Sequence, residues 1–567
     1  MEIVNGERLV LGTCYYPEHW DESLWRDDLR RMLENGIEVI RIAEFAWSKI
    51  ERYEGVFNYD FFDRFLDAAA EMGMKVIFCT PTATPPAWLT EKYPEVLNAT
   101  MDGVLYRHGG RRHYNYNSPK YQELTRIIVE KSASHYAKHP AIIGWQIDNE
   151  LNCEKNEFYS ESDTIAFRKF LMEKYGSIDA LNDAWGTNFW NQTYNSFEEV
   201  HVPRTTLSNN TNPHEVLDYT RFVSDSACKF AKLQSDIIRK YLKPGDFITT
   251  NGLFGNLDNQ RMTNESLDFI MYDSYPNFAY CLDAYKPDNF LKDRMWSRNL
   301  SEVRAVSKNF GIMEQQSGAN GWNTGMAAPT PKPGQMILWT MQSVAHGADY
   351  VSYFRWRTCT YGTEIYWHGI LDYSGRDNRR LAEVKSIHEK FQKLSEIAGS
   401  KYEAKVGFLK DYDNAWDSQL DVWHEKVEWK SQLGIFEAAQ RTHTLTEAKA
   451  TLQNDLYLIK EDPSFHTFYN FIKGGDYLNS SWTQQLHQTK RLHIIYLAVH
   501  PRMQHHGMAA MLMDEAIRYA QEHGMMISLE THNEKNLEFY KKFQFKEYGI
   551  LKKNFNLKQY CLIREYQ

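Results

Sequence analysis

The chain has 567 residues, 43% of them hydrophobic, with a formal net charge of −9; this excludes a disordered chain and allows a large core with more than one domain. The acidic balance argues against nucleic-acid binding and against an anionic membrane surface, and no apolar run reaches the roughly 18 residues of a membrane span. Seven unpatterned cysteines without a C-x-x-C pair argue for a reduced, cytoplasmic chain with no structural zinc, and the opening MEIVNGERLV lacks the basic flank and apolar block of a secretory signal.

From residue 8 to about 396, short apolar runs alternate with longer amphipathic ones. RLVLGTCYY (8–16) reads as a strand, and SLWRDDLRRMLENG (23–36) repeats its apolar residues at helical spacing and stops at Gly36, a C-cap signal. IEVIRIAEF (37–45) is a strand, YDFFDRFLDAAAEMG (59–73) a helix ended by Gly73, MKVIFCT (74–80) a strand and YQELTRIIVEKSASHYA (121–137) a helix. AIIGWQIDNELN (141–152) opens as a buried strand and turns abruptly polar. DFITTNG (246–252), LDFIMYDSY (267–275), FGIMEQQSG (310–318) and ADYVSYFRW (348–356) complete eight strands, with helices near 215–242, 334–346 and 378–396. Strand–helix alternation implies a parallel sheet, and eight such units imply an α/β fold closed as a (β/α)8 TIM barrel. An open doubly wound sheet is disfavoured, because no Gly-rich dinucleotide fingerprint follows the first strand.

Chemistry in such a barrel sits at the C-terminal ends of the strands. Those ends carry Glu18 and His19, Glu44, Asn149 and Glu150, Asp273 and Tyr275, Glu314 and, beyond strand eight, Glu364, Trp367 and His368. Glu150 and Glu314 end strands four and seven, on roughly opposite sides of the mouth. Cleaving a glycosidic bond needs one carboxyl group to protonate the departing oxygen and a second beneath the anomeric carbon. When the two are about 5–5.5 Å apart, the second attacks directly and configuration is retained. Asn149 would hold the sugar 2-hydroxyl, and aromatic residues, 14% of the chain, would wall the ring. Glu150 must start protonated, its proton affinity raised by burial or by Glu314; Glu314 must stay ionised, supported by an arginine or by a hydroxyl such as that of Tyr275. A lone strand-end glutamate is more often structural, and Glu18, Glu44 and Glu364 read equally well as ion-pair partners of Arg41, Arg111, Arg355 or Arg357.

The segments YYPEHW, RIAEFAWSKIE, GVFNYDFFDRFLDAA, TPTATPPAWL, GRRHYNYNSP, GWQIDNEL, MEQQSG and HGILDYSGRDNRR resemble glycoside hydrolase family 42, the barrel β-galactosidases, over residues 1 to about 443. The resemblance implies a retaining, exo-acting β-galactosidase with Glu150 as general acid/base and Glu314 as nucleophile. It also implies Arg111, Asn149, Trp322, Glu364 and His368 at the sugar, and a galactoside or galacto-oligosaccharide as partner. An α-L-arabinopyranosidase or a β-fucosidase would keep the same two glutamates. No cofactor is implied for this part. Some relatives bind zinc through a cysteine cluster; this chain has Asn115 at the first of those positions and only Cys153 near the rest, so no metal is expected.

Residues 397–445 resemble the opening of the α/β domain through which such enzymes commonly form trimers, cut short, so a weakened trimer contact is expected. Residues 446–567 read differently. RLHIIYLAVHP is a strand, RMQHHGMAAMLMDEAIRYAQEHG a loop entering a helix, and MMISLETHN a strand followed by EKNLEFYKKFQF. This part resembles the GNAT acetyltransferase superfamily, with Gln504, Gly507 and Ala509 in its Gln-x-x-Gly-x-Ala signature. The resemblance implies acetyl-coenzyme A as cofactor, its pyrophosphate held by backbone N–H groups at the helix start, with Asn533 and Tyr540 contacting it and Tyr540 protonating the departing thiol. His505 stands where Gly is common, and residues 446–490 are a short lead-in for such a domain. Both a second, N-acetyltransferase activity and an incomplete, inactive domain fit that pattern. The expected organisation is a barrel over 1–396, a truncated α/β segment over 397–445 and a small GNAT-like α/β domain over 446–567.

Overall fold

Alternate residues of the barrel strands pack on opposite sides, and each side has its own apolar cluster. The strands are β1 (Val10–Cys14), β2 (Ile37–Ile42), β3 (Lys75–Cys79), β4 (Ile142–Gln146), β5 (Phe247–Thr249), β6 (Met271–Ser274), β7 (Phe310–Gln316) and β8 (Ala348–Phe354). Leu11, Ile40, Ile42, Val76, Phe78, Ile312 and Val351 join the large cluster beneath the helices. Val10, Val39, Ile77, Met313 and Tyr350 form a second cluster with Ile3 and Val4. Strand burial on both faces is what near-continuous apolar runs such as IEVIRI demand of a parallel sheet.

All neighbouring strands are parallel, in the order β5-β4-β3-β2-β1-β8-β7-β6. The ring is completed between β5 and β6 by a parallel bridge of Asn251 with Met271, where the Gly252 amide donates to Met271 O and the Met271 amide to Thr250 O, each at 3.0 Å. The computed structural model describes residues 3–207, 211–276, 292–321, 327–365, 367–401, 407, 409–420, 480–486, 490–494, 508–552 and 558–565.

The eight predicted strands are all present, but shorter than the apolar runs. Past the ends of β1 and β2, Tyr16 and Phe45 pack at the barrel mouth, while Tyr15 turns outward to Asp28. The first three predicted helices are α1 (Trp25–Glu34), α2 (Asp60–Met72) and α3 (Pro119–Tyr136). Gly36 and Gly73 follow α1 and α2 with φ of 85° and 80°, the left-handed geometry that ends a helix; a Cβ on Gly36 would also meet the His388 ring at 2.0 Å. Segment 153–214 contains two helices, α4 (Glu161–Tyr175) and α5 (Ile178–Trp185). A reciprocal capping box of Ser160 and Asp163 starts α4, while exposed Ile165 and Met172 blur its apolar stripe. Helices α6 (Pro213–Ile238), α7 (Asn259–Ser266), α8 (Lys292–Val306), α9 (Gln335–Ala345) and α10 (Arg379–Lys393) complete the barrel. None of the described helices is long and apolar enough to cross a membrane.

The chain divides into two units, Met1–Trp429 and Lys430–Gln567. Of segment 397–445, a short helix Tyr412–Ser418 is described, tied to α6 by Arg221 Nε on Asp413 Oδ1 at 2.8 Å; most of the segment lies outside the described residues. The second unit contains a sheet of β9 (Arg491–Ile494), β10 (Met526–Thr531), β11 (Lys546–Lys552) and β12 (Lys558–Arg564) in the order β9-β10-β12-β11. Helices α11 (Met508–Glu522) and α12 (Leu537–Lys541) contribute Met513, Ala520 and Tyr540 to its core, with Ile527, Leu529, Phe545 and Leu562.

Asp28 of α1 joins the first βα unit to the end of β8. Its fully buried carboxylate accepts from Tyr15 OH and Trp356 Nε1 at 2.9 Å and from Arg357 Nε and Nη2 at 2.7 Å. Breaking a buried pair leaves the surviving charge unmet, at a cost of about 3–5 kcal/mol. Asp28→Ala is therefore expected to lower barrel stability by about that amount, read as a shift in the urea-unfolding midpoint.

Candidate active site

The polar end of β4 departs from extended geometry at every second residue. Asp148, Glu150 and Asn152 have φ of 51°, 48° and 66°, a left-handed conformation that costs an ordinary residue about 1–2 kcal/mol. Each of the three amides is caught by a side chain: Asp148 N donates to Thr80 Oγ1 at 2.7 Å, Glu150 N to Asn251 Oδ1 at 3.1 Å and Asn152 N to Tyr116 OH at 3.4 Å. The Asp148 carboxylate is buried under Arg112 Nη1 at 2.7 Å and Thr82 Oγ1 at 2.6 Å, and accepts the Asn149 amide at 2.8 Å. This scaffold turns Asn149 and Glu150 into the mouth, where Asn149 Nδ2 donates to Glu150 Oε2 at 3.1 Å.

Arg41, on β2, lies at the centre and is wholly buried. Its Nη2 donates to Glu44 Oε1 and Glu314 Oε1, each at 2.7 Å, and reaches Tyr16 OH at 3.3 Å. Its Nη1 lies 3.3 Å from Asn149 Oδ1 and 3.4 Å from Gln146 Oε1. Glu314, on β7, also accepts from Tyr275 OH at 2.5 Å and from Asn251 Nδ2 at 3.4 Å. Carboxylate oxygens of Glu150, Asp273 and Glu314 all lie within 4.8 Å of one another. A second guanidinium, Arg111, pairs its Nη1 with Glu150 Oε2 at 2.9 Å and also bonds Glu154.

These charges set the proton affinities. Burial raises Glu150 above the usual carboxylate range; Arg111 opposes it, while Glu314 and Glu154 reinforce it. Burial, then the charges of Glu314 and Glu150, push Asp273 well above its usual range, with Arg41 opposing. Burial works against ionisation of Glu154 as well, but Arg111 and Arg112 outweigh it and hold that carboxyl low. Burial and the Glu314 charge push the Tyr275 phenol well up, so it donates to Glu314 as a neutral hydroxyl.

The mouth is walled by Tyr16, Tyr275, Phe354 and Trp367, with Phe45 packed beside them. Trp367 meets Tyr275 edge-on at 5.5 Å, Phe45 stacks on Tyr16 at 6.2 Å, and Arg111 lies over Phe45 at 5.7 Å. The structure thus brings Glu150, Glu314, Asn149, Arg111 and Tyr275 together. Glu364 pairs with Arg355 Nη1 at 3.0 Å, and Arg355 lies over the Tyr16 ring at 4.2 Å, so Glu364 supports the wall through an arginine. His368 packs edge-on against Tyr373 at 4.8 Å. Trp322 lies outside the described residues.

Of the candidate cofactor residues, Gln504 and Gly507 also lie outside the described residues. Ala509 is in α11. Asn533 Oδ1 accepts the Lys535 amide at 3.1 Å and starts the turn before α12, and Tyr540 is packed into the core of its unit.

Sequence reading named Arg41 only as an ion-pair partner and passed over Asn251. The usable signals were an arginine inside an apolar strand, IRI, and an amide ending another, TTN; both mark groups that need a partner inside a barrel. Among the described residues, two groupings are spaced to meet a cation, Glu150 with Asp273 and Glu314, and Glu150 with Cys153 and Glu154; Arg41 and Arg111 already bring positive charge to them.

Fold and site together define a class: a (β/α)8 barrel with a buried glutamate pair at the ends of β4 and β7. The family model Beta-galactosidase, of glycoside hydrolase family 42, matches residues 14–394, and the chain belongs to that family. A β-galactosidase from Halorubrum lacusprofundi is 38% identical over 416 residues, covering 72% of this chain and 58% of its own length. One from a Thermus species is 39% identical over 436 residues, covering 75% and 66%. The chain thus spans less than two thirds of the length of these relatives. The crystal structure of a β-galactosidase from the psychrophilic Marinomonas ef1 superposes with a TM-score of 0.68 at 35% identity, over 73% of this chain and 65% of that one. The family model Acetyltransferase (GNAT) matches residues 436–545.

Arg41 pairs with two buried carboxylates at once, which a lysine's single ammonium on a different stem does not reproduce. Arg41→Met is expected to destabilise the barrel by about 3–5 kcal/mol, measured by urea unfolding of the full chain.

Proposed function

We propose that the barrel is a retaining, exo-acting β-galactosidase that removes terminal β-D-galactosyl residues by double displacement. The observation that carries this reading is the approach of Glu150 and Glu314 oxygens to within 4.8 Å, the short spacing of retaining enzymes rather than the wider gap that admits a water. The β-galactosidase relatives supply the sugar.

Glu314, paired with Arg41 and receiving the Tyr275 hydroxyl, is the nucleophile. Its oxygen bonds to the anomeric carbon as the glycosidic C–O bond breaks, and Glu150 delivers its proton to the departing oxygen. Formation of the ester removes the Glu314 charge, one of the influences that raises Glu150. The Glu150 carboxylate then takes a proton from water, which attacks the same carbon and releases Glu314. Six described cysteines are free thiols, in keeping with a reducing compartment. Acetyl transfer is not part of this reading, because Tyr540, the expected thiol donor, packs in the core of its unit.

With nitrophenyl β-galactoside, Glu150→Gln and Glu314→Gln are each expected to lower kcat by at least about a thousandfold, the scale of losing one member of a catalytic pair. Azide is expected to restore turnover to Glu314→Gly with inverted product. Faster turnover of α-L-arabinopyranoside or β-fucoside than of galactoside would overturn the sugar assignment; full activity in either Gln variant would overturn the mechanism.

Glu150 acts only while protonated, so activity is lost as pH rises through its pKa. Glu154 raises that pKa by its charge and by sharing Arg111. Glu154→Gln removes the charge and leaves Arg111 to Glu150, so the alkaline limb of kcat/KM is expected to move to lower pH, read from a rate profile across pH 5–9 (roughly the span of a carboxyl raised by burial).

A further inference from the structure

We propose that Asn251, just beyond β5, is a positioning residue that ties Glu150 to Glu314 and so sets the gap across which the glycosidic bond is cleaved. The inference rests on the catalytic reading of that glutamate pair and adds a residue to it.

The orientation of the Asn251 amide is fixed by its neighbours. A backbone N–H only donates, so the group 3.1 Å from the Glu150 amide must be the Oδ1 acceptor. The same oxygen accepts from Gln146 Nε2 at 2.9 Å. Nδ2 then faces the carboxylates, donating to Asp273 Oδ2 at 2.8 Å and reaching Glu314 Oε1 at 3.4 Å. One buried side chain therefore touches the end of β4 through its oxygen and the ends of β6 and β7 through its nitrogen.

The contact with β4 has a second consequence. Glu150 sits in a left-handed conformation, φ 48°, and the Asn251 oxygen is the acceptor for its amide. Losing that acceptor leaves a buried donor unmet beside a strained residue. The peptide then relaxes toward ordinary geometry and carries the acid away from the nucleophile. Misplacement by about 1 Å can cost a hundredfold in rate. Asn251 itself is held by the backbone bridge to Met271 that completes the barrel, so the spacing of the two glutamates is referred to barrel closure.

The charged and titratable groups around Asn251 are Glu150 from β4, with Arg111 behind it; Asp273 and Tyr275 from β6; and Glu314 from β7, with Arg41 of β2 behind it. Asn251→Asp keeps the acceptor for Glu150 but turns an oxygen toward Asp273 and Glu314. While ionised, that oxygen repels Glu314; its protonated form, reached as pH falls, again offers one donor.

The test compares wild type, Asn251→Ala and Asn251→Asp with nitrophenyl β-galactoside across pH, with thermal unfolding of each. Asn251→Ala is expected to lose about a hundredfold in kcat at every pH, with KM changed little. Asn251→Asp is expected to lose comparably at neutral pH, its rate relative to wild type rising as pH falls. An alanine variant within about threefold of wild type (well short of the hundredfold that misplacement brings) would overturn the role of Asn251. So would an aspartate variant whose profile is only the wild-type profile scaled down, which is what a loss of folded protein produces. A wild type with no glycosidase turnover would overturn the underlying reading instead.

Discussion

A guanidinium with no exposed surface must have its charge met inside the protein, and Arg41 meets it with Glu44 and Glu314. That requirement organises the mouth of the barrel. Desolvating an arginine and two carboxylates is tolerable only when every partner is in hydrogen-bond contact, so β2, β4 and β7 must close on one point. The same contacts orient Glu314 and place Asn149 beside Glu150.

Around that point the acidic groups exceed the cations. Glu150, Asp273 and Glu314 approach within 4.8 Å of one another. At an effective dielectric of about 20, two full charges at that separation repel by about 3 kcal/mol. The site resolves this by dividing its two guanidinium groups: Arg41 takes Glu314, and Arg111 is shared between Glu150 and Glu154. Burial raises the proton affinity of Glu150 despite Arg111, as the acid of such a pair requires.

The second unit has a different basis. Its small core draws on α11, β10, α12 and β12, and the acetyltransferase model covers 436–545. Tyr540, expected at a cofactor thiol, packs its ring against Phe545 in that core. A tyrosine is amphipathic, and its sequence context does not say which end the fold will use.

Much of the barrel is legible in the order of residues. Runs such as IEVIRI and ADYVSYF are buried on both faces because a parallel sheet demands it, and Gly36 and Gly73 end helices because they accept positive φ. Glu150 and Glu314 stand out among the strand-end carboxylates because they end strands four and seven, on roughly opposite sides of the mouth. Helix α4 was not legible, since its apolar stripe is weak and the capping box of Ser160 and Asp163 starts it.

The sequence by itself determined the eight alternating units and the two glutamates at strand ends, because apolar periodicity and side-chain chemistry are local properties. Only the tertiary structure decided that Asn251 bridges those glutamates, that Arg41 serves Glu314 while Arg111 serves Glu150, and that Asp273 joins them. These are distances between residues as far apart in the chain as Arg41 and Glu314, and closure of the ring, not any local preference, brings them within reach.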